Sequence, residues 1–360
     1  MVIPILFLTY CLLFLGASSG NAVEMGIQPG VRGVWKQSGE SLSPVLPWKA
    51  QWIWMDEDIA SDMMLARRSF DLTDKPEEAR LRITATSQYQ LFVNGTFVCH
   101  GPARCAPHHQ SFDKLDIASL LRKGGNTVAV RVHYLKGVVS YHHLGRAGFL
   151  SQLDLVSGGK TDTFITDSSW KVHPDPVWDN VAPRINRFHS EVGDRVDLRL
   201  QLRNWSGPDF DDASWPAARP LQRNTGWPQP QDNARPLALI PPWTSLVLRD
   251  LPYLVETETK ALDLIEASTV AGDVPAAGRL TGEDNTASTL DVVTLSNDID
   301  ERIAQEIREY KEGDGPLVIP GLDNGRTSFL LFDFGKVLNA RPHLDIEGPA
   351  GTVVEVMCAP

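Results

Sequence analysis

Histidine, cysteine and carboxylate side chains gather in two short stretches of this sequence. His100, His108, His109 and Asp113 lie close to Cys99 and Cys105, and Tyr141-His-His143 forms a second group. Thiolate, imidazole and carboxylate are the ligands of zinc, so a metal centre is the first chemistry to consider. The spacing matches no standard zinc knuckle, and an exported chain tends to oxidise such thiols. The same residue types suit a second task, hydrogen bonding to sugar hydroxyls from an aromatic-lined loop surface. Asn94, His108, His109, Asp113, Tyr141 and His142 are the candidate carbohydrate-binding residues. Plain structural loops are the alternative reading of the same stretches.

Other chemistries find less support. Glycoside hydrolysis by inversion needs two carboxyl groups about 6.5–9.5 Å apart. Carboxylates such as Asp56, Glu57 and Asp58, or Asp211 and Asp212, sit in turn-like contexts, and none stands out as an acid of raised pKa. Ser157-Gly-Gly-Lys-Thr161 ends like a phosphate loop, but Asp154 occupies the position that requires glycine, so it reads as a β turn. No serine lies in a nucleophile elbow. No residue is assigned a catalytic role.

The elements that must position these loops read as strands. Gln51-Trp-Ile-Trp54, 65–72, 79–85, 89–93, 127–133 and 148–156 alternate apolar and polar residues, the period of half-buried strands. Asn94-Gly95 after Val93 is a type I′ hairpin signal. Strands this short and closely spaced predict a mainly β chain built of antiparallel sandwich or jelly-roll domains. Asp167-Ser-Ser-Trp170 and Asp212-Ala-Ser-Trp215 echo each other as turns before a tryptophan. One amphipathic helix is expected at 298–311, with Ile299, Ile303 and Ile307 on one face.

At 360 residues the chain has room for two or three domains. Its net charge of −11 argues against a nucleic-acid partner, because phosphate binding needs clustered Lys and Arg. The apolar run Val2 to Gly16 and the small residues up to Ala22 read as a signal peptide, 1–22. The run is too short for a membrane span, so the expected destination is secretion, the periplasm or the cell surface. Cys99 and Cys105 flank a Gly-Pro loop and could bridge, subject to geometry. Asn94-Gly-Thr96 and Asn204-Trp-Ser206 are glycosylation sequons if the source is eukaryotic.

The expected organisation is a linker at 23–47, a jelly-roll sandwich at 48–175, and an extended excursion and connection at 176–245. A second β-rich region with the helix follows at 246–326, and an incomplete C-terminal β domain at 327–360. In that last stretch Thr327 to Phe334, Leu344 to Ile346 and Thr352 to Met357 read as strands. Three short strands leave a sheet with open edges, so the expectation is the front part of a longer protein.

Several of these segments, in order, resemble one family. Tyr89-Gln-Leu-Phe-Val-Asn-Gly95, Gly101-Pro-Ala-Arg104, Phe112-Asp-Lys-Leu-Asp116, Leu120-Leu-Arg-Lys-Gly-Gly-Asn126 and Val128-Ala-Val-Arg-Val132 are similar to the N-terminal region of bacterial α-L-rhamnosidases. Phe210-Asp-Asp-Ala-Ser-Trp215 and Phe332-Asp-Phe-Gly335 extend the likeness. The resemblance implies galactose-binding-like sandwich domains that hold or orient sugar, with the catalytic helical toroid of an inverting hydrolase lying elsewhere. The implied partner is a rhamnose-containing glycan. Some family members bind rhamnose through calcium; those ligands do not map onto this sequence residue by residue, so calcium stays conditional and no other cofactor is implied. The competing function is a stand-alone carbohydrate-binding or cell-surface adhesion module.

Overall fold

Alternating side chains on these segments place one apolar set between two facing sheets. The structure, a computed structural model, describes residues 23–25, 48–56, 58–59, 61–105, 110–135, 146–178, 196–221, 246–253, 257–271, 295–296, 317–319, 326–338, 340–354 and 356. The strands are β1 (Val23–Met25), β2 (Ile53–Trp54), β3 (Met63–Leu72), β4 (Glu78–Ala85), β5 (Gln88–Val93), β6 (Thr96–Gly101), β7 (Gln110–Asp116), β8 (Gly124–His133) and β9 (Phe149–Ser157). They continue with β10 (Lys160–Ile165), β11 (Lys171–Pro174), β12 (Arg219–Pro220), β13 (Leu246–Leu248), β14 (Asp263–Ala271), β15 (Leu295–Ser296), β16 (Arg326–Asp333) and β17 (Leu344–Ile346). The described chain is mainly β, and its strand pairs are antiparallel except for β13 on β7.

The chain divides into two units, 28–182 with 188–256, and 1–27 with 183–187 and 257–360. In the first, one sheet runs β12-β2-β9-β4-β7-β13, with β10 paired to β9, and the other runs β11-β3-β8-β5-β6. Leu81, Ile83, Leu91, Val130, Val132, Phe149 and Leu153 fill the space between them and are almost wholly buried. Each such side chain removed from water contributes about 1.5–3 kcal/mol.

Turn chemistry fixes the register. Asn94 and Gly95 adopt φ of 50° and 83°, and Val93 pairs with Thr96 across them, a type I′ hairpin as expected. Gly158 and Gly159, at 55° and 75°, do the same between Ser157 and Lys160. The phosphate-loop look-alike is therefore a β hairpin.

The stretch read as an open excursion contains a packed segment. Trp205 and Trp215 sit on Leu65 and Ala129, on the outward side of β3 and β8. The two echoing turns lie side by side: Ala218 N donates to Trp170 O at 2.8 Å and Val172 N to Pro216 O at 3.0 Å. Two further strands come from distant sequence: β12 pairs with β2, and β13 lies parallel to β7.

The second unit carries a sheet of order β15-β14-β16, and a separate pair, β1 with β17. Leu264 and Leu330 form its small core with Leu317, Ile319 and Phe332. The strands expected at Thr327 and Leu344 form. No strand forms at 352–354 or 356. The predicted helix at 298–311 and the signal segment 1–22 lie outside the described residues.

Candidate functional site

Register places three loops at one end of the sandwich. Ala85 pairs with Phe149, Gln88 with His133 and Tyr89 with Gly101. The connections β4–β5, β6–β7 and β8–β9 therefore leave from the same end. His108 and His109 belong to the second connection and Tyr141 and His142 to the third; these four lie outside the described residues. The anchors of their loops are well held. Thr86 Oγ1 donates to Arg146 O at 2.7 Å, and Leu135 N donates to Ser87 Oγ at 3.1 Å.

Asn94 lies at the opposite end, roughly 20 Å away along β5. Its amide is used internally: Nδ2 donates to Leu120 O and Asn126 Oδ1, both at 2.9 Å, and Oδ1 accepts from Thr127 N at 2.8 Å. Glycosylation of its sequon would replace one Nδ2 hydrogen and break at least one of these bonds, whereas Asn204 of the other sequon is exposed. Replacing Asn94 by alanine puts a residue that tolerates the left-handed region less well than asparagine at φ 50° and removes three hydrogen bonds. A loss of about 2–3 kcal/mol is expected in urea unfolding. An unchanged midpoint would contradict this structural role.

Asp113 faces inward from β7 and is fully buried. Its carboxylate accepts hydrogen bonds from the Tyr89 hydroxyl, from Arg249 Nη1 at 3.1 Å and from the Tyr253 hydroxyl at 3.3 Å. The Arg249 guanidinium lies 4.1 Å from the Tyr253 ring centre. Burial pushes the carboxyl pKa up, against the pull of Tyr89 and Arg249. Burial and the Asp113 charge push the Tyr89 and Tyr253 hydroxyls up, so both stay protonated donors. A Cβ at Gly101 would fall 2.2 Å from Asp113 Oδ2 and 2.5 Å from the Tyr89 ring, so only glycine fits there. The arrangement ties the 246–253 segment to both sheets.

Cys99 and Cys105 are not joined in a disulfide. Cys105 Sγ lies 3.6 Å from Gln110 Oε1. Among the described residues no three His, Cys, Asp or Glu side chains group so as to hold a cation, and no role is assigned to calcium.

A polar array that strand patterns alone do not reveal lies beside the loop end. On the outward side of the β11-β3-β8-β5-β6 sheet, His100, Gln90 and Arg131 occupy one cross-strand row. Gln88 and His133 occupy the next row. Arg131 Nε donates to Asp175 Oδ2 at 2.7 Å, and Nη1 donates to Gln90 Oε1 at 3.3 Å. The guanidinium lies 5.7 Å from the Trp205 ring centre. His133 faces Trp178 at 6.2 Å between ring centres, tilted by 31°. Burial lowers the His133 pKa, against the pull of Asp62, which keeps the imidazole neutral at neutral pH.

The described chain thus holds a two-sheet antiparallel sandwich with a polar array on one outward face. Residues 74–237 match the α-L-rhamnosidase N-terminal domain family, which supports an α-L-rhamnosidase N-terminal region there. An α-L-rhamnosidase of Formosa agariphila is 25% identical over 201 residues, 48% of this chain and 20% of that protein. One from Alteromonas sp. is 27% identical over 196 residues, 47% and 20%. The crystal structure of a GH78 family rhamnosidase of Bacillus sp. GL1 superposes with a TM-score of 0.52 and 32% identity. That match covers 62% of this chain and 22% of the rhamnosidase. The chain thus spans about a fifth of the length of the curated relatives it matches.

Proposed function

We propose that this chain is the non-catalytic N-terminal part of an exported α-L-rhamnosidase-like glycoside hydrolase, and that it binds or positions sugar. The observation that supports this most is the match of 74–237 to the rhamnosidase N-terminal domain. Export is supported by the apolar run and small-residue stretch of 1–22, and a mature N-terminus at Val23 is expected by N-terminal sequencing. The loop end of the sandwich, with His108, His109, Tyr141 and His142 on its connections, supplies hydrogen-bonding and aromatic groups suited to a rhamnose-containing glycan.

The test pairs two measurements on the purified chain. Calorimetry should detect L-rhamnose binding, measured with and without calcium, while an aryl α-L-rhamnoside should not be hydrolysed. Turnover would overturn the non-catalytic assignment. Absence of binding in both conditions would overturn the sugar-positioning role.

A further inference from the structure

We infer that the outward cross-strand array His100–Gln90–Arg131 and Gln88–His133, beside Asp175 and Trp178, is a binding site for a neutral pyranose with vicinal hydroxyls. This rests on the sugar-positioning role above and gives it a location. Residues pointing out from a sheet are ordinarily a mixture of Thr, Lys and Glu on the wet side or aliphatics on the packed side. Here five consecutive cross-strand positions all carry planar hydrogen-bonding groups: two imidazoles, two carboxamides and a guanidinium. Neighbouring strands lie about 4.8 Å apart and successive outward residues about 6.6 Å apart, so the array has the extent of one or two sugar rings.

Among the described residues, the Trp205–Trp215 cover over this sheet ends where the array begins. Leu65 and Ala129 are sealed beneath Trp205 and Trp215. Arg131, on the next outward position of β8 after Ala129, retains 19% of its side-chain exposure. Gln90 and His133 are half-buried and Gln88 is exposed. The groups are held before any ligand arrives. Asp175, whose side chain is 2% exposed, grips Arg131 Nε, and Trp205 supports the guanidinium face. Among the described residues, Arg131 Nη2 and Gln90 Nε2 have no hydrogen-bond partner. These two donors on adjacent strands are placed for a pair of neighbouring hydroxyl oxygens.

Charge selects the ligand class. Asp175 balances Arg131, so the site offers directed hydrogen bonds without net positive charge. A sugar acid or sulfated sugar gains little from it, and a neutral sugar loses nothing.

The experiment is calorimetric titration of the full chain and two variants with L-rhamnose, with galacturonate as the charged comparison. Gln90→Ala leaves the Arg131–Asp175 pair in place, and Arg131→Lys keeps the charge but loses the fork. Each is expected to lower affinity for rhamnose about tenfold, the loss of one directed hydrogen bond of about 1.4 kcal/mol, with the thermal midpoint of Gln90→Ala unchanged. Wild-type affinity in Gln90→Ala would overturn the site while leaving the sugar-positioning role intact. Tighter binding of galacturonate than rhamnose would overturn the ligand class. If the unaltered chain binds neither sugar, the functional role itself fails, and the site with it.

Discussion

Arg67→Ala should destabilise the sandwich by about 3–5 kcal/mol, the cost of breaking a buried ion pair from one side. Arg67 is 1% exposed on the outward side of β3. Its Nε donates to Asp212 Oδ2 at 2.9 Å, and Nη1 donates to Trp205 O and to Gly207 O, the latter at 3.1 Å. Nη2 reaches Ser69 Oγ and Phe210 O, both at 3.4 Å. The guanidinium lies 4.9 Å from the Phe210 ring centre. One side chain thus gathers three carbonyls and a carboxylate of the 205–212 segment, and its removal strands all of them. Lysine cannot substitute, since its compact ammonium offers three donors instead of a planar five; Arg67→Lys should recover less than half of the loss. Asp212→Asn should cost less, about 2–3 kcal/mol, because the carbonyl acceptors remain while the fully buried guanidinium loses its countercharge. Urea unfolding followed by tryptophan fluorescence reports this order directly. Equal midpoints for Arg67→Ala and the unaltered chain would show that the segment holds without its central donor.

The second large effect concerns Asp113, and a pair of substitutions separates its packing from its charge. Asp113→Ala opens a hole between the sheets and strands Arg249 and the Tyr89 hydroxyl, a loss of about 3–5 kcal/mol at neutral pH. Asp113→Asn keeps the volume and can still accept from the tyrosines. Its signature lies in the pH profile. The folded-state pKa of Asp113 is raised above the usual 3.8, so folding favours the protonated carboxyl. The stability this group contributes is fully present below that usual value and is lost as pH rises through the raised one. Asp113→Asn removes that titration, and the decline in unfolding free energy on going from about pH 4 to neutral should flatten. Arg249→Met removes the charge that opposes the shift, so the decline should steepen and extend to higher pH. A profile unchanged in both variants would mean the carboxyl titrates as it does in the unfolded chain.

How much of this was legible in the sequence depended on distance along the chain. Strands with period-two alternation and the Asn94-Gly95 turn follow from local steric rules, and they form where those rules place them. Arg67 and Arg131 belong to a residue type that is rarely buried. Arg67 is buried by the 205–212 segment, about 140 residues downstream, and Arg131 is gripped by Asp175 and Trp205; no local pattern announces either. The same holds for Asp113, whose partner Arg249 is 136 positions away. β12 and β13 are two and three residues long, too short to carry a periodicity. Asn94 looked like a ligand-binding amide because its type and exposed turn setting are shared by both roles; only its hydrogen bonds to Leu120, Asn126 and Thr127 separate them. His100 stood out by composition, but its neighbours in the polar array come from β5 and β8, and only register brings them together.

The parallel contact of β13 with β7 has a consequence for how the molecule comes into being. The sandwich is sealed by strands drawn from both ends of a stretch running from Gln51 to Tyr253. At about 5–20 residues per second, synthesis from β7 to β13 takes on the order of 10 s. Through that interval Gln110–Phe112 presents an open strand edge, and Asp113 waits without its cation. Contacts of such long sequence separation are slow to form. The nascent chain therefore passes through a state whose free edge can recruit a neighbouring copy, which makes the tempo of translation, and whatever shields that edge meanwhile, part of what secures the native pairing.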